Sequence, residues 1–156
     1  METVYLEITV ISYLVARMSR DLQVAAHQQT TIEWWEDHRQ KFECFISQTV
    51  LDEASAGDPM EVQKRLAKIG TLPLLPFDVE SRELAKAILA SGAIPPKAAR
   101  DAAHVAVCAV HGIDFLMTWN CKHLANAQIG RRIEKICEAS HRPMLIICTP
   151  QSLMGV

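Results

Sequence analysis

Short apolar bursts alternate along this chain with longer amphipathic segments, and that alternation restricts its fold more than any other feature. Thr3 to Leu6, Phe42 to Ile46, Leu72 to Leu75, Phe115 to Thr118 and Met144 to Thr149 each read as a strand. The runs are apolar at neighbouring positions rather than alternate ones, as strands covered on both faces require. Pro73 weakens the third. Between them, helical patterns cover Val10 to Ser19, Leu22 to Arg39, Gln48 to Ala56, Pro59 to Ile69, Val79 to Ser91, Pro96 to His111 and Ala125 to Ser140. Ser47, Asp58 and Asp78 are placed to cap helices, and Gly57 and Gly112 to stop them. Strands alternating with helices predict an α/β fold: a parallel sheet of about five strands with helices on both faces. No repeat or linker interrupts the pattern, so residues 1–156 read as one domain.

Composition narrows the function classes. At 156 residues and 49% hydrophobic, the chain can bury a real core. No apolar run approaches the ~18 residues of a membrane span, and the N-terminus lacks the basic-then-apolar order of a signal peptide. The five cysteines form no CxxC pair, so buried free thiols in a reducing cytoplasm are expected rather than zinc or disulfides. A net charge of −2 argues against a large basic nucleic-acid surface but leaves room for an enzyme that recruits metal cations. The first strand lacks the Gly-rich turn of a dinucleotide fold. A phosphoacceptor receiver domain would need an acidic pair after strand one and an Asp after strand three; the chain has the lone Glu7 and no Asp directly after Leu75.

In open parallel sheets ligands bind outside the carboxyl ends of the strands. Glu7 directly follows the first strand; Asp114 precedes the fourth, and Thr118, Trp119 and Asn120 end it. In the helix from Pro96, alanines and valines cover more than half the circumference, with Asp101 at the rim and Arg100, His104 and His111 on the remaining side. A carboxylate at such a rim needs either a salt bridge or a cation. On the helix after Ser47, Glu53 lies nearer the apolar face than Asp52, which points to solvent. Carboxylates gathered from distant segments suit a hard divalent cation, Mg²⁺ or Mn²⁺. Such a site serves phosphodiester hydrolysis, because the metal activates water and offsets the repulsion between acids and polyanion.

Four stretches together resemble the PIN-domain nucleases, in particular the small ones similar to VapC toxins. They are Val4-Tyr5-Leu6-Glu7-Ile8-Thr9-Val10-Ile11-Ser12-Tyr13-Leu14, Ser47 to Glu53, Lys97 to Ala106 around Asp101, and Gly112 to Leu124 containing Thr118-Trp119-Asn120-Cys121-Lys122-His123. The resemblance runs nearly end to end. It implies a three-layer α/β/α sandwich and Mg²⁺- or Mn²⁺-dependent RNA cleavage. It also implies an antitoxin partner and a homodimer. It makes Glu7, Glu53 and Asp101 the catalytic and metal-binding acids. Two departures stand out. Ile8 replaces the usual Thr, and Asn120 stands where many active members carry a fourth acid; Asn120 is expected to offer the metal a neutral oxygen, and Asp114 is a candidate metal ligand that supplies the missing charge from the other end of its strand. Thr9, Ser12, Thr118 and Lys122 are expected to contact substrate, Thr9 being equally suited to cap the first helix. Lys122, His123, Arg131, Arg132 and Lys135 make a basic stretch, either an RNA contact or a solvated face. His104 reads as a partly buried structural residue. Trp34 and Trp35 point about 100° apart, one toward the core and one toward a partner surface. The alternative function is a PIN-like RNA-binding or assembly module with little or no cleavage.

Overall fold

The computed structural model describes residues 1–143 and 145–155. Five strands form one parallel sheet in the order β3-β2-β1-β4-β5: β1 (Thr3–Leu6), β2 (Glu43–Ser47), β3 (Leu74–Leu75), β4 (Phe115–Met117) and β5 (Ile146–Cys148). The central strand explains the sandwich. Val4, Tyr5 and Leu6 are all fully buried although neighbouring side chains point to opposite faces, so both faces of β1 are covered. Leu116 and Met117 of β4 repeat the pattern. Helices on both faces of a parallel sheet are what the alternation predicts, and the result is the three-layer α/β/α arrangement that the resemblance implies.

Among the described residues, seven α-helices supply the outer layers: α1 (Ile8–Val15), α2 (Leu22–Glu33), α3 (Gln48–Ala54), α4 (Pro59–Ile69), α5 (Val79–Ala90), α6 (Ala99–Val110) and α7 (Ala127–Ala139). Asp58 and Asp78 cap α4 and α5 as their positions predict, each accepting a first-turn N–H. Gly112 ends α6 at a φ of +66°, a conformation other residues rarely adopt, and turns the chain into β4. No helix among the described residues is long and apolar enough to cross a membrane.

Several boundaries differ from the pattern. Met144, assigned to the fifth strand, lies outside the described residues. The third strand is only two residues, because Pro73 cannot donate to the ladder. The segment Leu22 to Arg39 is not one helix: after Glu33 it widens into a π turn over Trp34–His38, then a 3-10 turn over Arg39–Lys41. There Trp34 is fully buried and stacks on Phe42 at 5.9 Å, whereas Trp35 is half-buried beneath the Arg39 guanidinium at 4.3 Å. The pair thus separates as expected into a core residue and a peripheral one. Four cysteines are buried, and burial pushes the Cys44 thiol to about 11 and Cys148 to about 12, so both stay protonated. Cys121 departs from the expected burial and is exposed.

Candidate active site

β1 and β4 are adjacent, and their register pairs Leu6 with Met117. One step further, Glu7 and Thr118 leave the carboxyl ends of the two strands side by side, and the Glu7 amide still bonds the Met117 carbonyl at 3.1 Å. Here the strand order turns back on itself, since β1 leads to β2 on one side and β4 lies on the other.

Glu7 is almost wholly buried, 2% exposed. Its Oε1 accepts from the Thr118 hydroxyl at 2.6 Å, the Thr9 amide at 3.1 Å and the Thr9 hydroxyl. It is therefore Glu7, not Thr9, that caps α1, and the helix begins two residues earlier than the pattern suggests. The two threonines do more for the acid than for any outside group. Each donates its only hydroxyl proton to Glu7, while the Trp119 amide bonds Thr9 Oγ1 at 2.8 Å and the Asn120 amide bonds Thr118 Oγ1 at 2.9 Å. Burial raises the Glu7 carboxyl above the usual glutamate range; the bonds from Thr118 and Thr9 pull it back in part.

The other two acids are held through α6. Glu53, at the outer end of α3, bonds His104 Nε2 at 2.8 Å. His104 is fully buried, not on an open helix face beside Arg100, and its Nδ1 lies 2.6 Å from the Tyr5 hydroxyl. That hydroxyl lies 2.6 Å from Ser47 Oγ. A carboxylate only accepts, so His104 Nε2 carries a proton, and in that tautomer Nδ1 accepts from Tyr5. Tyr5 in turn accepts from Ser47. Burial raises the Tyr5 phenol well above its ordinary value, which keeps it an O–H donor. Ser47 sits at the N-cap position of α3, but its side chain is spent on Tyr5 and makes no capping bond. One turn before His104, Asp101 Oδ2 accepts from Asn120 Nδ2 at 3.2 Å and from His123 Nδ1 at 3.3 Å. Asn120 Oδ1 accepts the His123 amide at 3.0 Å. Glu7, Asp101 and Glu53 are thus joined through the 118–123 loop and α6.

The remaining candidates fall elsewhere. Asp114 is at the amino end of β4, where its Oδ2 accepts the Thr3 amide at 2.9 Å and the Thr3 hydroxyl at 3.1 Å. Four residues of strand, about 13 Å at ~3.3 Å each, separate it from Thr118, so it does not supply a fourth charge at the carboxyl end. Ser12 lies half-buried in the second turn of α1 and Lys122 is exposed in the loop after β4; among the described residues neither side chain makes a hydrogen bond. Asp52 points to solvent and Glu53 inward, as the helical wheel predicts. Pattern alone leaves Tyr5 out of the site, makes Ser47 a helix cap and puts His123 in a basic stretch, whereas the structure sets all three against the acids or their supports. Only Tyr5 carried a signal, since a phenol in a fully buried strand needs a hydrogen-bond partner.

The donor set, three carboxylates and the Asn120 amide oxygen, suits a hard divalent cation in kind. In this arrangement it is not assembled: each carboxylate is engaged separately. Among the described residues no group of three His, Cys, Asp or Glu side chains stands close enough to hold a metal ion. Two clefts open nearby. One of about 630 Å³ is bordered by Asp101 and His123. The larger, about 920 Å³ between α7 and β5, touches none of the three acids.

No protein-family model and no curated protein sequence matches the chain. Among solved structures it is similar to VapBC2 from Rickettsia felis, crystallised bound to a DNA fragment from their promoter. The match has a TM-score of 0.59 at 15% identity and covers 94% of this chain and 98% of that one. At that identity the likeness establishes a common fold across nearly the whole chain. The carboxyl end of the β1–β4 pair is where a fold of this kind places its ligands.

Proposed function

We propose that this chain is a VapC-like endoribonuclease that cleaves RNA phosphodiester bonds with Mg²⁺ or Mn²⁺. One observation carries the reading: a buried acid, Glu7, is fixed by three donors at the carboxyl end of the central strand, and two further carboxylates are tied to it through α6 and the 118–123 loop. The burial of Glu7 against its own charge disfavours the folded state, a pattern common at functional sites. A bound divalent ion would activate water and neutralise charge on the phosphodiester. The chain's own part is orientation. Thr9 and Thr118 hold Glu7, His104 holds Glu53, and Asn120 with His123 holds Asp101. In this reading an antitoxin protein restrains the enzyme, which associates as a homodimer.

Incubation of the protein with single-stranded RNA and Mn²⁺ tests the proposal. Wild type cleaves, chelator stops it, and Asp101→Asn lowers the rate on the order of 100-fold or more, as loss of one preorganised charged group does. Calorimetry with Mn²⁺ alone reads binding apart from turnover, and equal affinity in wild type and Asp101→Asn counts against the site. A second reading is an RNA-binding module without cleavage. It is favoured by Asn120, whose amide donates to Asp101 instead of adding a charge beside it. RNA binding with no cleavage across Mg²⁺ and Mn²⁺ concentrations would select it.

A further inference from the structure

The 630 Å³ cleft lies where a 3-10 turn, Pro96–Ala98, runs into α6, and its wall consists of Lys97, Ala98, Ala99, Arg100, Asp101 and His123. That volume is within the range of ~300–1,000 Å³ typical of ligand sites. Two features of its wall suit an anion. First, Lys97 and Arg100 are exposed, and among the described residues neither makes a hydrogen bond or an ion pair. Some other cations are employed within the fold, such as Arg65 on the Ala54 and Ala56 carbonyls and Arg142 on Glu80. Lys97 in the 3-10 turn and Arg100 in the first turn of α6 both line this cleft. Second, the acid in the wall is muffled. Asp101 Oδ2 already takes N–H bonds from Asn120 and His123, which offset its negative charge toward an incoming anion. Ala98 and Ala99 add no charge to the wall, and among the described residues no side chain caps α6.

We propose that this cleft is a phosphate-binding subsite in which Lys97 and Arg100 hold the backbone of a single-stranded RNA beside Asp101. The inference rests on the ribonuclease reading and deepens it, because it assigns the path by which the strand reaches the acids. On a chain of net charge −2, two uncompensated positive charges on the cleft that Asp101 borders give a polyanion a local point of attachment beside that acid.

The experiment uses a fluorescein-labelled 2′-O-methyl RNA 12-mer, with chelator present so that binding is read without turnover. Affinity is measured by anisotropy from 50 to 200 mM salt. The double variant Lys97→Ala/Arg100→Ala is expected to bind on the order of tenfold more weakly at 50 mM salt. The slope of log K against log salt should fall by about 1.4, two phosphate contacts at ~0.7 each for a single strand. Arg82→Ala/Lys86→Ala on α5 removes the same net charge from an exposed helix face outside the cleft and should leave both quantities unchanged. Thermal melts confirm that the variants fold. If wild type binds and cleaves RNA while the Lys97/Arg100 variant matches it in affinity and slope, the subsite is overturned and the ribonuclease reading stands. If wild type neither binds nor cleaves RNA, both fall. Displacement of the strand by inorganic phosphate at equal concentration overturns the strand assignment, since a single anion would then satisfy the cleft.

Discussion

Replacing Tyr5 by Phe removes one oxygen from the centre of the buried chain Ser47–Tyr5–His104–Glu53. In the assigned direction each hydroxyl donates toward the carboxylate, so the change strands two groups: the Nδ1 lone pair of His104 and the Ser47 hydroxyl. Both residues are at least 99% buried. An orphaned buried polar group costs about 1–3 kcal/mol. Ser47 has a partial escape, because it sits at the N-cap of α3 without a capping bond and can turn to the helix amides. The net expectation is a loss of about 2–4 kcal/mol, or roughly 5–15 °C in Tm for a domain of this size. Ser47→Ala is expected to cost only about 1 kcal/mol, since Tyr5 keeps its donation to His104. In the double variant the serine hydroxyl that Tyr5→Phe orphans is gone, so its stability should match Tyr5→Phe alone instead of the sum. Urea denaturation followed by tryptophan fluorescence, in chelator at pH 7, measures all three. If Ser47→Ala is as damaging as Tyr5→Phe, or if the two add, the direction of the chain is wrong and with it the tautomer assigned to His104.

Glu7→Gln keeps an oxygen to accept from Thr9 and Thr118 but removes the buried charge. The folded carboxyl is raised above its usual value near 4.5, so between the two values the folded state binds more protons and wild-type stability falls as pH rises through that window. The variant should therefore melt above wild type at pH 7, with the gap closing on acidification through that window to below pH 4.5; a gap independent of pH would contradict this. Asn120→Asp replaces the amide donor to Asp101 by a second carboxylate, and in chelator it should destabilise the protein by about 1–2 kcal/mol through the lost charge-assisted bond. Mn²⁺ should raise its Tm more than that of wild type; an equal rise would mean that position 120 does not face the ion. Asp114→Ala should cost about 1 kcal/mol by freeing Thr3 and leave Mn²⁺ affinity intact. Lost affinity there would require Asp114 to act at the far end of the sheet.

Alternation of apolar bursts with amphipathic segments was enough to place β1 residue for residue and α4 likewise, because a buried strand and a capped helix are each specified by their own side chains. The same local logic put Glu7 at a strand end, Asp101 at a helix rim and Glu53 inward of Asp52. It broke down where a second segment decides. Nothing local ends the helical pattern at Glu33, yet Trp34 enters the core against Phe42 and the backbone widens there. Asp114 and Asn120 are six residues apart and both flank β4, so sequence alone leaves open which of them joins the acids. Parallel pairing with β1 decides it by sending Asp114 to Thr3 at one end and Asn120 to Asp101 at the other. His104, 99 residues from Tyr5 and 51 from Glu53, becomes the bridge between them only when α6 packs over β1 and α3. Periodicity thus determined the elements and the ends at which their polar residues emerge. Which partner each polar residue meets was left to the tertiary structure, because a hydrogen bond is fixed by ångström-scale proximity that sequence spacing does not encode.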